Sequence, residues 1–218
     1  PKHAQDVPET LRLISLMTQQ ARNQGKDIIA MDEMDIASGE RIQEVDRIVK
    51  HALENRLLEV YYQPIYTPDR NAYLSAEALL RLHNQQKGFI SPAEFIPIAE
   101  HNGMIIRIGQ FVLNEVCKML KETEALNYGI EYVEVNLSIV ECIQSDLAEN
   151  VIRTLERHHI FPKRINLEIT ETAESLSGMI HENIARLSEA GFSFSLDDFG
   201  TGYSNLMRTI EMPISIVK

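Results

Sequence analysis

Ile165-Asn166-Leu167-Glu168-Ile169-Thr170-Glu171, a helical pattern over 178–190, and Ser193-Phe194-Ser195-Leu196-Asp197-Asp198-Phe199-Gly200 together read as strand, helix and strand. That order predicts two parallel strands joined by a crossover helix. Both strands end in carboxylates: Glu168 and Glu171 on the first, Asp197 and Asp198 on the second. Working outward, the arrangement repeats. Upstream, Tyr132–Ser138 carries Asn136, and a helical pattern over about 145–158 separates it from Ile165. Further upstream, Tyr73–Arg81 carries Glu77 and pairs with Val60–Tyr66, as a hairpin or as a neighbour, across the turn Pro68-Asp69-Arg70-Asn71. Downstream, Ile214–Lys218 ends on Lys218. A β/α barrel builds its active site from groups delivered by the carboxyl ends of several strands. An enzyme is therefore the leading expectation.

The remaining segments fit around that unit. Ser91-Pro92-Ala93-Glu94 has the form of a helix start, with a Ser cap, Pro at the first position and Glu three residues after the cap. Pro97 limits or kinks this helix, and a long helix is expected over about 108–126. Gly129 and Gly191 stand where helices turn into strands. Over 39–58, Ile42, Val45, Ile48, Val49, Ala52 and Leu53 form an apolar stripe opposite Glu40, Arg41, Glu44, Asp46 and Lys50, which predicts an amphipathic helix. Residues 8–24 read as a helix stopped at Gly25, and 27–31 as a short strand. This pair is too small to bury a core of its own, so it reads as the tail of a preceding domain. Without an initiator Met before Pro1, the chain is expected to be a piece of a longer protein.

Composition narrows the classes. Of 218 residues, 44% are hydrophobic and 24% charged, the balance of a globular domain. The net charge of −11 argues against a nucleic-acid polymer as partner, because such binding needs many Lys and Arg contacts to phosphate. A small phosphate ester is not excluded, since cations neutralise it locally. No apolar run reaches the roughly 18 residues that cross a bilayer, and no membrane contact is expected from this segment. Cys117 and Cys142 lack metal-ligand spacing and read as buried, reduced thiols.

Each candidate residue also has an ordinary explanation. Asn136 is unfavourable inside a strand, yet taken alone it is more often a satisfied polar group than a ligand. Glu168, between Leu167 and Ile169, could sit on an exposed edge, but comparable groups on neighbouring strands disfavour that. Asp197 and Asp198 repel one another unless a cation lies between them, while Gly200 and Gly202 suggest a loop shaped for function. Lys218 alone is a solvated charge and gains meaning only beside the carboxylates.

Glu77-Ala78-Leu79-Leu80-Arg81, Val135-Asn136-Leu137-Ser138, Leu167-Glu168-Ile169-Thr170-Glu171 and Asp197-Asp198-Phe199-Gly200-Thr201-Gly202-Tyr203-Ser204-Asn205-Leu206 stand in order. Together they closely resemble the EAL-domain cyclic-di-GMP phosphodiesterases of bacteria, from about residue 42 onward. The resemblance implies a modified (β/α)8 TIM-type barrel with an antiparallel first strand, of which about six of eight strands are present. It implies residues 1–36 as the remnant of a preceding GGDEF-like domain, 37–58 as a connecting helix, and 59–218 as the barrel, ending before its last two strands. It further implies two Mg²⁺ or Mn²⁺ ions and hydrolysis of cyclic-di-GMP to linear pGpG.

By motif position, Glu77, Asn136, Glu168, Asp197 and Asp198 look like metal ligands, and Lys218 like the group contacting the attacking water. Glu77, Asp198 and Lys218 are the residues on which catalysis would rest. Glu171 looks like the anchor of the loop after Asp198. Gln63, Leu79, Arg81 and Pro97 fall where the family contacts substrate. The partners implied are cyclic-di-GMP, a homodimer through the barrel, and N-terminal sensory or GGDEF domains, in the cytoplasm. A binding module that senses cyclic-di-GMP without cutting it, or a scaffold that keeps only the barrel shape, stands as the alternative. With the last two strands missing, residues 1–218 alone are expected to turn over poorly or not at all.

Overall fold

A computed structural model describes residues 33–170, 178–197 and 214–217, with the backbone alone at 33–38, 170, 197 and 214–217. The expected helix over 8–24, the strand over 27–31 and nearly all of the preceding-domain segment lie outside the described residues. So do Glu171, Asp198, the loop through Gly200 and Gly202, and Lys218.

Helix α1, Glu33–Glu54, opens the described chain and buries Val45, Val49 and Ala52. A hairpin follows: β1, Leu58–Thr67, runs antiparallel to β2, Ala72–Asn84. The turn between them is a 3-10 segment, Pro68–Arg70, closed by Asn71 in the left-handed region at φ 50°, a conformation Asn tolerates better than most residues. Pro64 lies in β1, whose only strand partner among the described residues is β2, consistent with the confinement of Pro to strands with a free edge. Sequence reading missed β3, Gly88–Ile90, which folds back on the end of β2. Three residues carry too short a pattern to register as a strand.

Helix α2, Pro92–His101, starts after Ser91, which has the extended backbone of a cap but makes no side-chain cap bond. The helix continues through Pro97 to His101. Helix α3, Met104–Glu122, begins four residues before the expected Ile108, straight after Gly103 in the left-handed region at φ 77°. Then come β4, Tyr132–Asn136; a one-turn helix α4, Ile139–Cys142; α5, Leu147–His158; β5, Ile165–Thr170; α6, Gly178–Glu189; β6, Ser193–Asp197; and β7, Ile214–Val217.

The sheet order β1-β2-β4-β5-β6-β7 follows the order in the chain. The β1–β2 pair is antiparallel, and every pair from β2–β4 onward is parallel. A doubly wound sheet reverses its strand order partway; this one does not. Sequential parallel strands alternating with helices are the arrangement of a TIM-type barrel, here with an antiparallel first strand.

Side-chain alternation separates the two faces of the sheet. Ala78, Leu80, Val133, Val135, Ile165, Leu167, Ile169, Phe194 and Leu196 lie on one face and join the apolar core with Val112, Val116 and Leu120 of α3, Val151 and Leu155 of α5, and Ile180, Ile184 and Leu187 of α6. Burying each such side chain contributes about 1.5–3 kcal/mol. The other face carries Ser75, Glu134, Asn166, Glu168 and Ser195, all buried. Parallel strands covered on both sides usually read as continuous apolar runs. A buried polar face therefore has to be explained by what it does.

Candidate active site

Cross-strand register builds this polar face row by row. One row runs Gln63, Glu77, Glu134, Asn166, Ser193 across β1, β2, β4, β5 and β6. The next runs Asn136, Glu168, Ser195, and one further step pairs Thr170 with Asp197. The candidate donors thus climb towards the carboxyl ends as the strands progress from β2 to β6, the stagger that tilted barrel strands produce. Glu77 and Asn136 meet directly: Asn136 Nδ2 donates to Glu77 Oε1 at 3.0 Å across 59 residues of sequence. That contact leaves the Asn136 carbonyl oxygen available as a donor to a cation. Glu168, opposite Asn136 in register, is 2% exposed. The β6 backbone brings Asp197 to the same edge; its side chain, Asp198, Glu171 and Lys218 lie outside the described residues.

The expected substrate contacts divide into two groups. Gln63 is exposed on β1 directly opposite Glu77. Leu79 lies opposite Tyr61, and the Arg81 guanidinium sits 6.0 Å from the Tyr61 ring centroid. Arg81 also donates to its neighbour's carbonyl, Leu80 O, at 2.9 Å. Tyr61, half exposed, went unnoticed in the sequence, because an aromatic in a strand is ordinary. Pro97 is on a different element, the exposed side of α2.

A polar pair that sequence reading left unassigned links the two rows, Asn166 from the lower and Ser195 from the upper. Asn166 Oδ1 accepts from Ser195 Oγ at 3.3 Å, and both residues are buried. Its amide nitrogen has no hydrogen-bond partner among the described residues. The signal for Asn166 and Ser195 was present: each shares the face of Glu168 by alternation.

The exit of β4 is tightly held. Leu137 N donates to Glu168 O at 2.8 Å, joining β4 to β5 one residue past Asn136. Ser138, expected as the last residue of the strand, instead caps α4 in a capping box with Glu141. Val140 N donates to Ser138 Oγ at 3.2 Å, and Ser138 N donates to Glu141 Oε2 at 3.1 Å. The sequence Ser-x-x-Glu is the signature of that motif, but the alternation of 132–138 carried the strand reading two residues too far.

The Glu141 carboxyl is raised to about 8, chiefly by burial, with the Ser138 N–H opposing the rise and the neighbouring Glu100 adding to it. Glu141 also borders a cavity of about 40 Å³ between α3, β4 and α5. The thiols of Cys117 and Cys142 are buried and free, as expected, and burial raises both to about 12.

The oxygen donors described here fit hard divalent cations. Among the described residues, no three acidic, His or Cys side chains cluster closely enough to hold a metal by themselves. Among the described residues, no helix is long and apolar enough to cross a membrane.

Comparison with known proteins gives the family. The chain is 34% identical over 201 residues to the bifunctional diguanylate cyclase/cyclic di-GMP phosphodiesterase MucR of Pseudomonas aeruginosa, covering 91% of this chain and 29% of MucR. It is 33% identical over 178 residues to the cyclic di-GMP phosphodiesterase NbdA of the same organism, covering 80% of this chain and 22% of NbdA. The chain thus spans less than a third of these relatives. The solved MucR phosphodiesterase in complex with c-di-GMP superposes with a TM-score of 0.75 at 33% identity, over 80% of this chain and 71% of that one. The EAL enzyme Bd1971, in its cAMP- and cyclic-di-GMP-bound form, superposes with a TM-score of 0.76 at 27% identity, over 99% and 57%. Residues 46–218 match the EAL domain, and with that match spanning most of its length, the chain belongs to the EAL-domain family.

Proposed function

We propose that this chain is the hydrolytic domain of a cyclic-di-GMP phosphodiesterase that cleaves cyclic-di-GMP to linear pGpG. The observation that supports this most is the meeting of Glu77 and Asn136 at 3.0 Å on the face that also carries Gln63 and buried Glu168. In the reaction, a water oxygen forms a bond to one phosphorus and the P–O3′ bond breaks. The 3′-oxygen leaves with a proton as the hydroxyl, and a 5′-phosphate remains. Two Mg²⁺ or Mn²⁺ ions would be held by Glu77, Asn136, Glu168, Asp197 and Asp198. When bound, they supply Lewis-acid neutralisation of phosphate charge and a lowered pKa for water.

The remaining roles fall to the chain itself. Arg81 would grip a phosphate through paired hydrogen bonds, and Gln63, Leu79 and Pro97 would seat the nucleotide. Lys218 would orient the attacking water, and Glu171 would anchor the loop after Asp198. The acidic net charge is compatible with an anionic substrate once cations occupy the site.

Chromatographic detection of pGpG after incubating the full-length protein with cyclic-di-GMP and Mg²⁺ tests the proposal. Glu77→Ala is expected to abolish product, and unchanged turnover in that variant would refute it. Tight calorimetric binding of cyclic-di-GMP with no product at saturating Mg²⁺ would favour a sensor instead.

A further inference from the structure

We infer that Glu100 is a positioning residue for Asn136, holding the exit of β4 by its hydrogen bond to Ser138. This inference rests on Asn136 being a metal ligand, as proposed above. Glu100 Oε1 accepts from Ser138 Oγ at 2.6 Å across 38 residues of sequence. Ser138 stands two residues beyond Asn136, and every polar atom of its side chain and its backbone N–H is engaged. Its hydroxyl hydrogen goes to Glu100, its Oγ accepts from Val140 N, and its own N–H goes to Glu141. The cap of α4 needs only the Oγ lone pair. The Glu100 contact adds nothing to that cap except a fixed direction for the hydroxyl and a tie to a separate helix. Side chains that orient metal ligands in this way govern affinity through geometry, without touching the ion.

Helix α2 makes a firm post for that tie. Phe95 and Ala99 are fully buried and pin it to the core. At its first turn, Glu94 receives a two-pronged bond from Arg41 of α1, with Nε to Oε1 at 2.6 Å and an Nη to Oε2 at 3.1 Å. Just past its last turn, Asn102 Nδ2 donates to Asp46 Oδ1 of α1 at 2.5 Å. Glu100 therefore projects from a helix braced at both ends against α1, and it reaches the strand end that carries Asn136. The position of α1 and the position of Asn136 are joined by one short helix.

The test uses the full-length protein and Mn²⁺ alone, titrated calorimetrically, with thermal unfolding recorded to confirm a folded state. Glu100→Ala is expected to weaken Mn²⁺ binding about 10-fold. Glu100→Gln, which keeps an acceptor for the Ser138 hydroxyl, is expected to restore affinity to within about twofold of wild type on the same basis. The double variant Glu100→Ala with Ser138→Ala is expected to bind no more weakly than Ser138→Ala alone. Wild-type affinity in Glu100→Ala, failure of Glu100→Gln to restore it, or additive losses in the double variant would each overturn the inference. Asn136→Ala separates the two levels. If it binds Mn²⁺ as wild type does, the metal-site reading fails and this inference with it; if it loses binding while Glu100→Ala does not, only the positioning role falls.

Discussion

Replacing Glu141 by glutamine is expected to stabilise the protein increasingly as pH rises. Glu141 is 6% exposed, with one carboxyl oxygen bonded to Ser138 N and the other packed against Gly109 of α3. Burial lifts its titration from the ordinary 4.5 to about 8. Below pH 4.5 both the folded and the unfolded chain hold this proton, and stability is independent of it. Above that value the unfolded chain releases the proton while the folded chain keeps it, so stability falls by about 1.36 kcal/mol per pH unit until the folded group titrates. Across the whole interval the loss amounts to ~5 kcal/mol as an upper limit.

Glutamine does not ionise, fits the same volume and still completes the capping box. The stability gained by the variant should therefore be about 3 kcal/mol larger at pH 8 than at pH 5.5. Urea denaturation followed by circular dichroism at both pH values measures this, since the chain has no Trp to report by fluorescence. A gain that is the same at both pH values, or larger at pH 5.5, would refute the assignment of a buried neutral acid.

Gly109→Ala brings the opposite result. A Cβ there would lie 1.8 Å from Glu141 Oε1 and 2.7 Å from its carboxyl carbon, so the usual gain of Ala over Gly in a helix gives way to a net loss of about 1–3 kcal/mol in urea denaturation. Arg41→Ala removes the fork to Glu94 and the bond to Glu44. These groups are partly exposed and screened, so thermal unfolding should shift by less than about 4 °C. A larger shift would mean that α1 is held chiefly by these polar ties and not by Val45, Val49 and Ala52.

Much of the site was legible in the chain because strand alternation has a period of two. Glu77, Asn136 and Glu168 occupy positions whose neighbours are apolar on both sides, which places all three on one face once the strands are in register. The limits of that reading are equally specific. The start of α3 at Met104 escaped notice because the left-handed Gly103 sets its beginning, while the side chain that accepts from Met104 N, Asn102 Oδ1 at 2.9 Å, stands one residue before the cap position. Glu94, expected to serve a capping box with Ser91, turned to Arg41 instead. A charged partner in reach outweighs a local backbone donor.

Local pattern alone determined that this is an alternating α/β chain with acidic and amide groups at its strand ends, because hydrophobic periodicity is set by neighbours within a few residues. Only the tertiary structure decided which groups touch: Asn136 with Glu77, Ser138 with Glu100, Glu141 with Gly109. Those contacts join residues dozens of positions apart. They depend on sheet register and on helices packed across it, and those are properties of the folded chain as a whole.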